Sequence, residues 1–125
     1  MVTKILKLEE ITAYKIASEL SDYVWEVVSK WDWFSKKTLG AQFTNSTDSI
    51  AGNIAEGYGR YHKNDKIKFY YNARGSAFES AHWSKKAYKR KLISEKEIDH
   101  ILGELRNLPK EINGLISYTK KKLII

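Results

Sequence analysis

Apolar residues recur along this chain at steps of three and four, and strand-like alternation is nearly absent, so the pattern predicts helices throughout. Ala13, Ile16, Leu20, Val24, Val27 and Trp31 fall on one face of a first helix of roughly six turns. Tyr14, Ala17, Ser21, Trp25 and Val28 form a second stripe beside it. The segment from Trp31 to Lys37 reads as a turn, with Asp32 capping a second helix that carries Leu39, Phe43, Ile50, Asn53 and Gly57 on its main face. Gly57 and Gly59 are expected to end that helix, because glycine takes the left-handed conformation cheaply. A polar joint then opens a third helix near Asn64 or Asp65, with Ile67, Tyr70, Tyr71, Arg74, Phe78, Ala81 and Tyr88 on its core side. Ser94 and Glu97 match a capping box. They start a fourth helix on which Ile98, Ile101, Leu102, Leu105, Leu108, Ile112, Ile116 and Leu123 hold the period. Pro109 lies inside that run and is expected to kink it, because it removes a backbone donor and crowds the preceding turn.

Four long amphipathic helices with short joints predict an all-α fold, an antiparallel up-down-up-down four-helix bundle. At 125 residues the chain reads as one domain over 1–125. Helices two and three also carry small-residue faces: Ala41, Thr44, Asp48, Gly52 and Ala55 on one, and Ala73, Ser76, Ser80 and Ala87 on the other. A bundle helix needs one buried side, so a second such face predicts a further neighbour, either a closely crossing helix or another subunit.

Composition narrows the chemistry. The chain has no cysteine, which excludes disulfides and thiolate metal sites and suits a reducing cytoplasm. No apolar run approaches the ~20 residues that span a bilayer, and the N-terminal residues lack a signal-peptide core, so a soluble cytoplasmic protein with no membrane partner is expected. With 22 Lys and Arg against 15 Asp and Glu, the net charge of +7 favours polyanions. The candidate nucleic-acid-binding residues are Lys85, Lys86, Lys89, Arg90 and Lys91 near the end of helix three, and Lys120, Lys121 and Lys122 near the C-terminus. Antiparallel helices put these two clusters at opposite ends of the bundle. Trp83 and Tyr88, interleaved with the first cluster, could stack on bases.

The stretch SIAGNIAEGYGR, residues 49–60, is not a phosphate-cradling loop, since no strand precedes it and no lysine and hydroxyl follow its glycines. Asn53 and Arg74 both fall near apolar faces, and buried polar groups need partners. The expected arrangement is a hydrogen-bonded network in which Glu56, Glu79 or Asp48 neutralises Arg74, while Asn53 bridges backbone or tyrosine hydroxyls across the hairpin. If that network is buried, Arg74→Ala would cost about 3–5 kcal/mol. No nucleophile accompanies a base at helical spacing, so no catalytic residue and no enzyme activity is expected. Glu79 with His82 and Glu97 with His100 form two Glu-x-x-His motifs, as in di-iron bundles. The two histidines are staggered by ~6 Å along the axis. Helix two offers nothing better than Gly40 at the level of His82, and Glu79 falls well away from the middle of the core stripe, so neither metal nor cofactor is expected.

Two motifs in combination carry a family resemblance: Asn53-Ile54-Ala55-Glu56-Gly57, followed by Arg60, and Ala73-Arg74-Gly75-Ser76 with Glu79. They resemble the paired motif of the bacterial four-helix-bundle proteins encoded in intervening sequences of 23S ribosomal RNA genes, to which the accessory variability determinant of diversity-generating retroelements is similar. The likeness runs from the first helix through Gln42 to the apolar fourth helix. It implies an antiparallel bundle assembled into a homopentameric ring, and a role beside nucleic acid. Thr44 and Asn45 stand where the family commonly has basic residues, Asp48 where it is usually apolar, and Ala51 where a proline is frequent, so helix two carries less positive charge here. The expected function is therefore a non-enzymatic, homo-oligomeric accessory or scaffold associated with RNA or DNA. The alternative is a protein-protein interaction module that does not bind nucleic acid.

Overall fold

The computed structural model of the chain describes residues 6–122. A 3-10 turn, Leu8–Glu10, leads into α1, Thr12–Ser29. An α-helical turn, Trp33–Ser35, and a π-helical segment, Lys36–Gly40, run into α2, Ala41–Gly59. Helix α3 spans Lys63–Lys89 and α4 spans Glu95–Lys122. Both α1 and α3 pack against α2 and α4. The short connections make chain neighbours antiparallel, giving an all-α, up-down-up-down four-helix bundle. Among the described residues no helix is long and apolar enough to cross a membrane.

Local chemistry sets several boundaries as the sequence predicts. The Asp32 carboxylate accepts from the Ser35 backbone N–H at 3.0 Å and from its hydroxyl at 2.8 Å, and the backbone bond holds that carboxyl below its ordinary value. Ser94 and Glu97 cap each other reciprocally, the Ser94 N–H donating to Glu97 Oε1 at 2.8 Å and the Glu97 N–H to Ser94 Oγ at 3.1 Å. Helix α4 continues through Pro109. Leu123, expected on its core face, lies outside the described residues.

The core comes mainly from α1 (Leu20, Val24), α2 (Phe43, Ile50, Ile54) and α4 (Ile101, Leu108, Ile112). Helix α3 contributes differently from the expectation. Below Tyr70 its buried stripe is Ala73, Ala77, Ser80, Ser84 and Ala87, while Tyr71, Phe78 and Tyr88 are exposed. The reason is the narrow gap to α2. Thr47 Oγ1 and Ser80 Oγ share a buried hydrogen bond of 2.6 Å across it. Since the Thr47 hydroxyl donates its single proton to the Phe43 carbonyl at 2.8 Å, Ser80 is the donor to Thr47. No room remains at that separation for aromatic rings, so they turn outward and small residues line the seam. The small face of α3 thus meets a crossing helix in its own chain, whereas Ala41, Asp48 and Gly52 of α2 are exposed.

Gly57 also departs from its expected role. No glycine among the described residues has a positive φ, and α2 ends where Arg60 turns extended. Gly57 instead permits contact: a Cβ there would lie 2.6 Å from Tyr70 Cε1 and 3.0 Å from the Lys66 carbonyl. Gly57→Ala should therefore destabilise the bundle by about 1–3 kcal/mol in urea unfolding. Gly52→Ala, where a Cβ meets nothing within 4 Å, should stabilise it by about 0.5–1 kcal/mol.

Candidate nucleic-acid interface

The polar motif residues are not gathered into one network. Asn53 Nδ2 donates to the Ser49 carbonyl of its own helix at 2.8 Å and bridges nothing across the hairpin. Glu56 pairs with Arg60 at 3.0 Å on the surface, where the Arg60 guanidinium also lies 4.6 Å from the Phe69 ring centre. Arg74 Nη1 donates to Asn113 Oδ1 of α4 at 2.6 Å and stacks 4.8 Å from the Tyr71 ring. Glu79 accepts from Trp83 Nε1 at 3.0 Å, and Asp48 accepts from the Ser21 hydroxyl of α1 at 2.7 Å. The expected neutralisation of Arg74 by Glu56, Glu79 or Asp48 is thus absent, because Arg74 sits on the side of α3 that faces α4 while α2 packs on the other. Gly75 is exposed and Ser76 partly so.

The Glu-x-x-His residues do not converge either. Glu97 serves its capping box, the His100 ring lies 4.3 Å from the Tyr23 ring of α1, and His82 packs against Trp83 at 4.7 Å. Among the described residues no three His, Asp or Glu side chains are placed to hold a metal ion.

Where α1 meets α2 and α3 meets α4, by contrast, several unusual features coincide. Trp33 is 71% exposed and Phe34 67%, and Lys37 Nζ lies 4.7 Å from the Trp33 ring centre. A cleft separates Phe34, Ser35, Thr38 and Leu39 from Arg90 and Leu92. Arg90 lines it, and on the segments that form its walls Lys36, Lys37, Lys85, Lys89 and Lys91 are exposed, with Lys86 partly buried. The backbone here is irregular as well. The π-helical segment follows directly on Trp33 and Phe34, a device frequent at functional positions. Lys91 takes φ 61°, the left-handed position of a Schellman turn. In that turn the Leu92 N–H donates to the Ala87 carbonyl at 2.9 Å and the Lys91 N–H to the Tyr88 carbonyl at 3.0 Å. The Trp31 indole N–H is buried without a partner among the described residues. A lysine where glycine is favoured stores strain, and such strain concentrates at working surfaces.

Lys85, Lys86, Lys89, Arg90 and Lys91 are thus brought together, and Lys120, Lys121 and Lys122 lie at the opposite end. Tyr88 is exposed beside the first cluster. Trp83 is partly buried against the core, with its indole N–H committed to Glu79, and is not available to stack. In the sequence Trp33 reads only as a contact for a protein partner, and Phe34, Lys36 and Lys37 are not singled out. The available signal is two aromatics followed by paired lysines in the segment WFSKK.

A protein-family model described as "23S rRNA-intervening sequence protein" matches residues 9–114. Among solved structures the fold is similar to the crystal structure of a protein of unknown function from the S23 ribosomal protein family of Bacteroides thetaiotaomicron VPI-5482. The TM-score is 0.75 at 17% identity, covering 84% of this chain and 98% of that one. No curated protein matches the chain.

With its partner a neutral amide and its ring contact solvated, Arg74→Ala should cost about 1 kcal/mol in urea unfolding, not the larger loss of a buried ion pair. Lys91→Gly should raise stability by about 1 kcal/mol, relieving the left-handed strain; an unchanged midpoint would show that Lys91 is not strained.

Proposed function

The chain belongs to the 23S rRNA-intervening sequence protein family, and on that premise we propose that it is a non-enzymatic, homo-oligomeric scaffold that associates with RNA or DNA. The observation that carries this reading is the pair of exposed rings, Trp33 and Phe34, next to a cleft that Phe34 and Arg90 line and whose segments carry exposed lysines. Lysine and arginine draw in phosphates by counterion release, and exposed rings stack on unpaired bases whatever their sequence. A single-stranded nucleic acid suits both. Lys120, Lys121 and Lys122 add to the general field from the other end.

Assembly into a pentameric ring would repeat this cleft and raise its avidity. Exposed Trp25 on α1, exposed Phe78 on α3 and the small outer residues of α2 support subunit contacts. The separation of Asn53, Glu56, Arg74 and Glu79, each engaged with its own neighbour rather than with a common centre, supports reading these residues as structural.

Light scattering of the eluting protein and fluorescence anisotropy of a labelled single-stranded RNA pool, both at low and high salt, test the reading together. We expect a pentamer-sized mass and RNA binding that falls steeply with salt. Replacing Trp33 and Phe34 by alanine should weaken binding by at least about tenfold, since each base stack contributes ~1–3 kcal/mol. Exchanging Lys120, Lys121 and Lys122 for serine should have a smaller effect. An oligomer indifferent to nucleic acid at low salt would instead favour a protein-interaction module, with Trp25 and Phe78 as its contacts. A monomer at both salts would remove the assembly.

A further inference from the structure

The opposite end of the bundle holds a cavity of about 390 Å³, bounded by the Leu8–Glu10 turn, the end of α2, the start of α3 and the end of α4. Its walls are mostly apolar, built from Ile11, Ala13, Leu115 and the rings of Tyr58, Tyr70 and Tyr118. That size and lining are those of a small-molecule site, which needs only a few convergent polar groups for orientation.

Two such groups project from one face of α3. Lys66 and Tyr70 are four residues apart and so neighbours on the helix surface. Lys66 Nζ donates to the carbonyls of Tyr58 at 2.7 Å and Gly57 at 3.4 Å, and among the described residues no carboxylate pairs with it. Burial pushes its pKa down, as expected of an ammonium held by neutral acceptors alone. Tyr70 is 2% exposed, pressed against Gly57, and its hydroxyl makes no hydrogen bond among the described residues although it borders the cavity. Burial, with the Tyr58 phenol nearby, pushes its pKa up to about 12, so it stays a donor at neutral pH. A hydroxyl on the cavity wall with no partner among the described residues, beside a partly buried ammonium held only by carbonyls, makes an incomplete anion site.

The remaining lining sets the charge of the anion. Glu10, Glu111 and Lys122 also border the cavity. The two carboxylates repel a multiply charged phosphate or dicarboxylate more than a singly charged group. A single negative charge gains most at Lys66, whose partial burial weakens the competition from water.

We propose that this cavity binds a monocarboxylate with an apolar body, of the kind of a medium-chain fatty acid. Its carboxylate accepts from Lys66 Nζ and the Tyr70 hydroxyl, and its hydrocarbon lies against Ile11, Leu115 and Tyr118. The site is remote from the cationic cleft and stands whether or not that cleft holds nucleic acid.

Isothermal titration of the full chain with decanoate, and with decanol as the uncharged comparator, tests the assignment. One decanoate per chain is expected, bound at least about tenfold more tightly than decanol, since a hydrogen bond to a charged group contributes ~1.5–3 kcal/mol. Lys66→Met, which keeps the apolar stem, should remove that preference while leaving decanol affinity unchanged. Tyr70→Phe should weaken decanoate alone, and Leu115→Trp, filling the cavity, should abolish both. If Lys66→Met fails to fold by circular dichroism, the other two variants carry the test. Absence of saturable decanoate binding, or equal affinities for decanoate and decanol in the parent chain, would overturn the proposal.

Discussion

The close approach of α2 to α3 organises this molecule. At its centre a hydroxyl relay runs from Ser80 to Thr47 to the Phe43 carbonyl, wholly buried, and toward one end Gly57 lets the Tyr70 ring lie on the α2 backbone. A seam this narrow admits only small side chains from α3, and Ala73, Ala77, Ser84 and Ala87 fill it. Every larger residue of that helix must go elsewhere. Tyr71 and Phe78 are turned to the surface, Arg74 is carried round to Asn113 on α4, and Tyr70 is held as a wall of the cavity at one end. One packing constraint thus shapes both the outer face of the bundle and one of its interior spaces.

The two ends differ in kind. The end holding the 33–40 segment and the α3–α4 turn is irregular, cationic and aromatic, with a π-helical segment, a left-handed lysine and a buried indole N–H left without a partner. The end holding the cavity is incomplete in polar pairing, with Lys66 satisfied only by carbonyls and Tyr70 by nothing among the described residues. Thr44, Asn45 and Asp48 leave the outer face of α2 without cations. Positive charge is accordingly gathered toward the ends.

Much of the architecture was legible in the order of residues, because what decides it is local. Helical periodicity, the Asp32 cap and the Ser94–Glu97 box act over three or four residues and need no knowledge of the rest of the chain. Four amphipathic segments with short joints then leave few arrangements other than an antiparallel bundle. The paired Asn53 and Arg74 motifs likewise pointed to the family before any coordinate was known. Lys85 to Lys91 were visible as a cluster. That Arg90 lies across a cleft from Phe34 and Thr38 was not, since the two turns are joined only by the fold.

By itself, then, the sequence determined where the helices lie, how they begin, that they form a bundle, and that its charge gathers near the end of α3 and the C-terminus. Only the tertiary structure decided which stripe of α3 faces inward. Both of its stripes are compatible with burial, one aromatic and one small, and the periodicity of a helix sets their phase but not their choice. The width of the gap chooses, and that width belongs to α2 as much as to α3. For the same reason Gly57 reads as a helix stop in sequence and is a contact point in space, and Arg74 reads as the buried partner of a carboxylate and is a partly exposed one of Asn113. Each outcome depends on a neighbour distant along the chain, which no local pattern encodes.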